Sequence, residues 1–308
     1  MKLQKIHLDT DFGGDIDDIC ALAFLLKSSR TEITGVTTVA ENGGKRAGQV
    51  QYTLKIADRG GIPVKAGADN AGGFYPTYLG LPSEERYWPE PIAPLINPID
   101  EALDLLKQSI DQGAIIVAIG PLTNLRLLDT KYPGILKRTQ IYFMGGFINP
   151  PRPGFPGWKN EDDFNVQIDV KSAKHVLKNS NITLVPLPAG GETFLRQGYL
   201  DALKNSGALG QLLARQAKEF VMDEKIAQIY NGCENIPRDI INFQYDPLAA
   251  AVALGWDGAV IEELPLIVEE KDGFIWERVD NAGKLFNVAT SVDGPRFSEF
   301  WLNQVTNP

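Results

Sequence analysis

The chain has 308 residues, of which 44% are hydrophobic and 22% charged, as in an ordinary globular protein with a large core. Its 39 acids and 30 bases give a net charge of -9, which argues against nucleic acid or an anionic membrane as a partner, because phosphates need basic surface. There are two cysteines, no zinc-type Cys/His spacing, no signal-like start and no membrane-length apolar run, so we expect a cytoplasmic protein.

Strands and helices alternate along the chain. The pattern predicts strands over residues 5–8, 33–39, 62–66, 114–118, 140–144 and 182–186. It predicts helices over residues 17–27, 48–59, 98–112, 122–128, 170–178 and 207–232, and another after 246–247. Because the strands are mostly apolar rather than alternating in polarity, we expect one α/β domain over residues 1–308, with a mostly parallel central sheet flanked by helices and an open Rossmann-like core.

Two stretches interrupt this alternation, residues 69–98 and 147–165. Both are rich in glycine, proline and aromatic residues. Long loops of this composition often form the lid or rim of a site, although an ordered surface loop without function is an equally good interpretation.

Acidic residues crowd the first turn between strand and helix. The five are Asp9, Asp11, Asp15, Asp17 and Asp18. Capping a helix and complementing its dipole needs one or two acids, whereas five repel one another unless a cation relieves them. The turn therefore predicts a site for a hard cation such as calcium or magnesium. Asp246, just before Pro247, is a candidate further ligand, although an acid there also suits a helix N-terminus.

The segment from Asp9 to Leu22 reads Asp-Thr-Asp-Phe-Gly-Gly-Asp-Ile-Asp-Asp-Ile-Cys-Ala-Leu. It resembles the amino-terminal signature of the inosine–uridine-type nucleoside hydrolases, Asp-x-Asp-Pro-Gly-x-Asp-Asp-Ala-x-Ala. Phe12 replaces the proline, and two extra residues lie around Gly14 and Asp15. Further blocks resemble the family in the same order, namely Gly-Val-Thr-Thr-Val-Ala-Glu-Asn-Gly, Ile-Pro-Val-Lys-Ala-Gly-Ala, Gly-Pro-Leu-Thr-Asn, Met-Gly-Gly, Asp-Phe-Asn and Tyr-Asp-Pro-Leu-Ala.

This resemblance implies a calcium ion at the bottom of a ribose pocket. The implied ligands are the carboxylates of Asp11, Asp18 and Asp246 and the backbone carbonyl of Thr123. Asp11 would also be the general base. The implied ribose ligands are Asp17, Asn42, Asp163 and Asn165, with Asp163 standing where the family usually has glutamate.

The end of the site that faces the leaving base departs from the family. Many members have histidine before the last aspartate, where this chain has Tyr245, and its two histidines, His7 and His175, are predicted to be structural. Tyr245 is then a candidate proton donor, although an ordinary tyrosine pKa of about 10 makes it a slow one. Stacking on the base is the alternative, with Trp158, Tyr230, Trp88 and Phe74 as candidates.

The resemblance thus implies calcium-dependent hydrolysis of the N-glycosidic bond of ribonucleosides to ribose and free base, by a homo-oligomer (a dimer or tetramer). Two alternatives stay open. One is a relative that binds ribose or nucleoside but turns over poorly, suggested by the missing histidine. The other is a haloacid-dehalogenase-type phosphatase, which shares the acid pair of Asp9 and Asp11 but normally has threonine or valine where this chain has Gly13.

Overall fold

The computed structural model describes residues 3–69 and 84–307. The strands in these ranges are β1 Gln4–Thr10, β2 Thr31–Thr38, β3 Val64–Ala66, β4 Ile115–Ala118, β5 Gln140–Met144, β6 Asn181–Val185, β7 Phe194–Arg196, β8 Ile240–Phe243, β9 Ala259–Lys271, β10 Phe274–Val279 and β11 Lys284–Val292.

The α-helices of the same ranges are α1 Asp17–Lys27, α2 Lys45–Ile56, α3 Glu84–Tyr87, α4 Ile99–Asp111, α5 Thr123–Lys131, α6 Phe164–Gln167, α7 Val170–Asn179, α8 Leu187–Gly190, α9 Leu200–Lys204, α10 Ala208–Glu224, α11 Ile226–Ile229, α12 Tyr245–Ala253 and α13 Gly294–Thr306. Short 3-10 turns occur at Ile135–Arg138, Asn160–Asp162 and Gln197–Tyr199.

The main sheet of the described chain has the strand order β10-β9-β11-β6-β5-β4-β1-β2-β3. From β11 to β3 in this order, each neighbouring pair of strands is parallel. Strand β9 pairs antiparallel with both β10 and β11. A separate antiparallel pair joins β7 to β8. The predicted fold class, an α/β fold with a mostly parallel central sheet flanked by helices, is confirmed. Its extent as one domain over residues 1–308 stays a prediction.

Apolar clusters cover both faces of the sheet. In β4, Val117 belongs to one cluster and its neighbour Ile116 to the other, because successive side chains of a strand point to opposite faces. Helix α1 is buried along nearly its whole length, and the Trp301 indole of α13 donates a hydrogen bond to the Cys20 carbonyl at 3.1 Å. The apolar strands and α1 are thus buried as their composition predicts.

The order of connections reverses beside β1. The chain runs from β1 to β2 and β3 on one side, and then crosses to β4, β5 and β6 on the other. At such a reversal, the loops after two neighbouring parallel strands diverge and leave a crevice at their carboxyl ends. Here the loops that diverge are the acidic turn after Thr10 and the segment that follows Ala118.

Some elements differ from the predictions. Strands β7 to β11 and helix α13 were not predicted; β7 and β8 are only three and four residues long, and β9 is mostly exposed or half-buried. The predicted helix over 207–232 is broken after Glu224, where Lys225 has a left-handed φ of 54°. Most of the 69–98 loop, including Phe74, lies outside the described residues. In the part of the chain that is described, no helix has the length and apolarity to cross a membrane.

The crevice leaves little space between β1 and the chain after β4. A methyl group on Gly120 would lie 2.8 Å from both the backbone nitrogen and Oδ1 of Asp11, and 2.9 Å from Val39 Cγ1. We therefore expect Gly120→Ala to lower the free energy of unfolding by about 1–3 kcal/mol, measured by urea denaturation. Gly61→Ala is the matched control, since nothing lies within 4 Å of its methyl group. Equal stability of both variants would contradict this close approach.

Candidate functional site

The acidic turn links the end of β1 to the start of α1. Asp9, the last acid within the strand, points away from the others, and its Oδ1 accepts hydrogen bonds from Thr37 Oγ1 at 2.5 Å and Asn124 Nδ2 at 2.8 Å. Its Oδ2 is buried and has no partner in the described chain. Burial raises the pKa of Asp9 to about 7. Asp9 therefore ties β1 to β2 and α5 and supports the turn.

Three other carboxylates converge at the base of the crevice. Single oxygen atoms of Asp17, Asp18 and Asp246 lie within 4.8 Å of one another, and all three residues are buried. Asp246 is brought in by α12, and its N–H donates to Asp17 Oδ2 at 3.4 Å. Burial first, and then repulsion by neighbouring carboxylates, including Asp11 and Asp15, raise the pKa of each carboxyl well above its usual value. A set of oxygen donors that repel one another fits a hard divalent cation.

Asp11 lies beside this trio. It lines the same cavity, and its charge raises the pKa of each member of the trio. Burial raises the pKa of Asp11, whereas the nearby Arg46 guanidinium opposes the rise. The family resemblance implied that Asp11 binds the cation and Asp17 the sugar, and both roles stay predictions; the group of three carboxylates within 4.8 Å contains Asp17. Thr123, the fourth predicted ligand, is buried and uses its Oγ1 to donate to Asp169 at 2.7 Å.

Arg46 is a component that the sequence prediction missed. Its side chain is only 1% exposed, and it donates to the Ala40 carbonyl at 2.8 Å, to the Phe12 carbonyl at 3.0 Å and to the Asp11 carbonyl. Basic residues in the first turn of a helix oppose its dipole, and α2 begins with Lys45 and Arg46 and no acid. A basic residue at a helix start was therefore the sequence signal for the buried Arg46 guanidinium beneath the acidic turn.

A cavity of about 440 Å³ opens above the carboxylates. Four aromatic residues line it: Phe164, and a group of three formed by Trp158, Tyr230 and Tyr245. The ring centroid of Trp158 is 6.0 Å from that of Tyr230 and 6.0 Å from that of Tyr245, with Phe243 packed behind them. Burial, reinforced by the surrounding acidic groups, raises the pKa of Tyr245 well above its usual value, so its hydroxyl stays protonated. We call these three residues the aromatic wall.

Asp163 and Asn165 also line the cavity, at the start of α6. Asp163 accepts hydrogen bonds from the N–H of Gly146 at 2.5 Å and of Val166 at 3.3 Å, and burial raises its pKa to about 6. The Asn165 amide donates to the Met144 carbonyl at 3.0 Å. Both side chains are therefore held in place by the loop after β5.

Other predicted residues lie elsewhere. Asn42 is exposed and, together with Trp88, lines a different cavity of about 570 Å³, so the structure does not bring it to the carboxylates. His7 is fully buried and sits between Ser109 and Thr37, at 2.8 and 3.0 Å. Burial lowers the pKa of His7 to about 3.

His175 lies outside the cavity and contacts Asp129 at 2.7 Å. As the sequence suggested, the site has no histidine among the described residues that line it.

Known proteins of one family are similar to this chain in sequence and in fold. A family model described as inosine-uridine preferring nucleoside hydrolase matches residues 6–299. This chain belongs to that family. Nucleoside hydrolases are enzymes that act on N-glycosyl bonds, and this membership sets aside the haloacid-dehalogenase-type phosphatase.

Individual nucleoside hydrolases and related chains match over large segments. The chain is 28% identical over 226 residues to the non-specific ribonucleoside hydrolase RihC of Klebsiella pneumoniae strain 342, which covers 69% of this chain and 70% of that protein. It is 31% identical over 202 residues to an uncharacterised protein of Schizosaccharomyces pombe, covering 60% of this chain and 61% of the other.

The fold also matches solved structures. A purine-preferring ribonucleoside hydrolase from Gardnerella vaginalis superposes with a TM-score of 0.80 at 20% identity, covering 98% of both chains. A plant nucleoside hydrolase, the PpNRh1 enzyme, superposes with a TM-score of 0.76 at 21% identity, covering 99% of both chains.

The raised pKa values predict how pH changes the stability of the cation-free protein. The folded-state pKa is about 6 for Asp163, about 7 for Asp15 and about 8 for Glu277, against ordinary values of 3.8 to 4.5. A carboxyl with a raised folded-state pKa stabilises the fold fully only below its unfolded pKa, and this contribution is lost as pH rises through the folded value. Without divalent cations, the melting temperature should therefore fall from about pH 5 to about pH 8.5.

Calcium should reverse this loss at high pH. A free concentration about 100 times its dissociation constant adds about 2.7 kcal/mol to the free energy of unfolding. In Asp246→Asn, the cation-free protein should be more stable than wild type because one repelling charge is gone, while the gain from calcium should largely disappear. If calcium stabilised this variant as much as wild type, the trio would not be the cation site.

Proposed function

We propose that this protein hydrolyses the N-glycosidic bond of ribonucleosides to ribose and free base, with calcium as its cofactor. The main support is one cavity with two different halves. Its floor consists of the carboxylates of Asp17, Asp18 and Asp246 with Asp11 beside them, and the aromatic wall forms its other half. A nucleoside has the same two halves, since its ribose is rich in hydroxyl groups and its base is a flat ring. A diol suits carboxylates and a hard cation, and a base suits aromatic side chains.

Asp17, Asp18 and Asp246 would hold the calcium ion, with Asp11 beside them. Calcium takes six to eight oxygen ligands, so the trio supplies part of the shell, and the Thr123 carbonyl and the ribose diol are candidates for more. When bound, the cation would neutralise the repelling carboxylates and make a nearby water and the diol more acidic. The fit of an oxygen-only donor set is the reason for proposing calcium rather than zinc.

Asp11 would act as the general base, taking a proton from the attacking water. The bond from the anomeric carbon to the nucleobase nitrogen breaks, and a bond from that carbon to the water oxygen forms. The departing nucleobase takes up a proton. The neighbouring Arg46 favours the ionised carboxylate that a base requires. Asp163 and Asn165 would bind ribose hydroxyls, whereas Asn42, which is exposed and outside the cavity, has no role in this proposal.

The aromatic wall would receive the base. Tyr245 keeps its proton and can donate a hydrogen bond to the departing base, while Trp158 and Tyr230 offer faces for stacking. Relatives differ in the bases that they accept: one from Klebsiella is named non-specific, one from Enterobacter pyrimidine-specific and one from Gardnerella purine-preferring. A cytoplasmic homo-oligomer, a dimer or tetramer, stays a prediction.

The general base is tested by Asp11→Ala. We expect kcat for base release from common nucleosides in calcium to fall about 10²- to 10⁴-fold, because a positioned base contributes about that much. Circular dichroism controls for folding and calorimetry for nucleoside binding. A near-normal rate would refute the assignment of Asp11. A wild-type protein that binds nucleoside but releases no base from any of them would instead support the binding-only relative.

Tyr245→Phe tests the hydroxyl while keeping the ring. We expect kcat on nucleosides to fall about 10- to 100-fold, as for the loss of a general acid of moderate efficiency. A nitrophenyl riboside should react at nearly the wild-type rate, because nitrophenolate leaves without a proton. Equal losses on both substrates would place Tyr245 in folding or ribose binding and would contradict its role at the base.

A further inference from the structure

Asp15 has no assigned role, yet it lines the central cavity together with the aromatic wall. It is one of the two extra residues that distinguish this acidic turn from the family signature. Unlike the buried trio, it is half-buried. Its charge raises the pKa of Asp17 and Asp246 on the floor and also that of Tyr245 in the wall. Asp15 therefore lies near both halves of the cavity.

The Asp15 carboxylate is held from outside the turn. Asn242 Nδ2 donates to its Oδ1 at 2.6 Å, and the N–H groups of Ile16 and Asp17 donate to the carboxylate as well. The bonds from Ile16 and Asp17 are local to the turn that precedes α1. The bond from Asn242 is not local, because Asn242 is a buried residue of β8 that is 227 positions away along the chain.

The same strand end builds the aromatic wall. Asn242 is followed by Phe243, which packs behind the wall, and then by Tyr245, which belongs to it. The short chain from Asn242 to Tyr245 thus fixes the position of Asp15 relative to the place where a base would stack. Position 245, at the end of this segment, is also where the family commonly has histidine and this chain has tyrosine.

We propose that Asp15 determines base specificity, its carboxylate accepting a hydrogen bond from a ring N–H or amino group of the nucleobase, with Asn242 holding it in position. This inference rests on the proposed nucleoside hydrolase function. Purine bases with such donors, as in inosine and adenosine, are favoured over a purine that has none. A site that offers an acceptor discriminates against the analogue without the donor, because the acceptor then loses its partner.

Purine riboside is the decisive probe, since its base has the purine ring but no N–H or amino donor. In Asp15→Ala, kcat/KM for inosine and adenosine should fall about 10- to 100-fold, the usual effect of one hydrogen bond to a charged group. For purine riboside it should change by less than about 3-fold, because no such bond exists to lose. Equal losses on all three substrates, or no loss on any, would overturn the proposal.

Asn242→Ala is a second variant that leaves the carboxylate in place. It should weaken inosine hydrolysis by about 3- to 10-fold and spare purine riboside, because a freed Asp15 forms a poorer hydrogen bond. Asp201→Ala is the matched control: Asp201 is an exposed acid in the first turn of α9, and its loss should leave all three substrates unchanged. If Asp15→Ala unfolds, which thermal melting would reveal, Asn242→Ala decides the question alone.

Failure of the proposed function gives a different result. If the wild-type protein releases no base from inosine, adenosine or purine riboside in calcium, the hydrolase proposal fails for these nucleosides. The role of Asp15 is then decided by calorimetry of the same three ligands. Binding of inosine that Asp15→Ala weakens more than binding of purine riboside would support base recognition. Equal affinities for the two ligands in the wild-type protein would refute it.

Discussion

Repulsion among buried carboxylates is the constraint on which this structure depends. Single oxygen atoms of Asp17, Asp18 and Asp246 lie within 4.8 Å of one another, although each residue is buried and burial and neighbouring acids make each carboxyl harder to ionise. Such a cluster costs folding free energy. Two features offset part of this cost, the N-terminus of α1 and the buried Arg46. The repulsion that remains would be relieved by a bound cation. The unfavourable packing of the acids is therefore itself what makes them a binding site.

The sequence was sufficient to predict the parallel part of the sheet. Strand β4 is apolar throughout and β5 is apolar after Gln140, and that composition follows directly from burial on both faces. It was insufficient for β9 to β11, where most residues of β9 are exposed or half-buried and β9 pairs antiparallel with both β10 and β11. Local periodicity also has no information on long-range pairing, such as that of β11 with β6.

The site was predictable to the extent that strand ends determine it. The end of β1 and the chain after β5 carried Asp11 and Asp163 to one cavity, because parallel strands end at the same edge of a sheet. The start of α12, which follows β8 of the separate antiparallel pair, brings Asp246 to the same cavity. The same argument does not hold for Asn42, which also follows a parallel strand but lines another cavity. Two residues before Asn42, Ala40 has a left-handed φ of 46°, which turns the chain after β2. A non-glycine residue in that conformation leaves little trace in the sequence, whereas Arg46, which bonds the Ala40 carbonyl, left one as a basic residue at a helix start.

The two halves of the cavity are built by different forces. Charge fixes the floor, where moving one carboxylate would change the energy of the others. Packing of aromatic rings fixes the wall, and rings of similar size can be exchanged at lower cost. Tyr245 and Asp246 are neighbours in α12, so anchoring Asp246 also positions residue 245, whatever its side chain. In the proposed function, a tyrosine in place of histidine and an extra acid at Asp15 can therefore alter the treatment of the base without displacing Asp246.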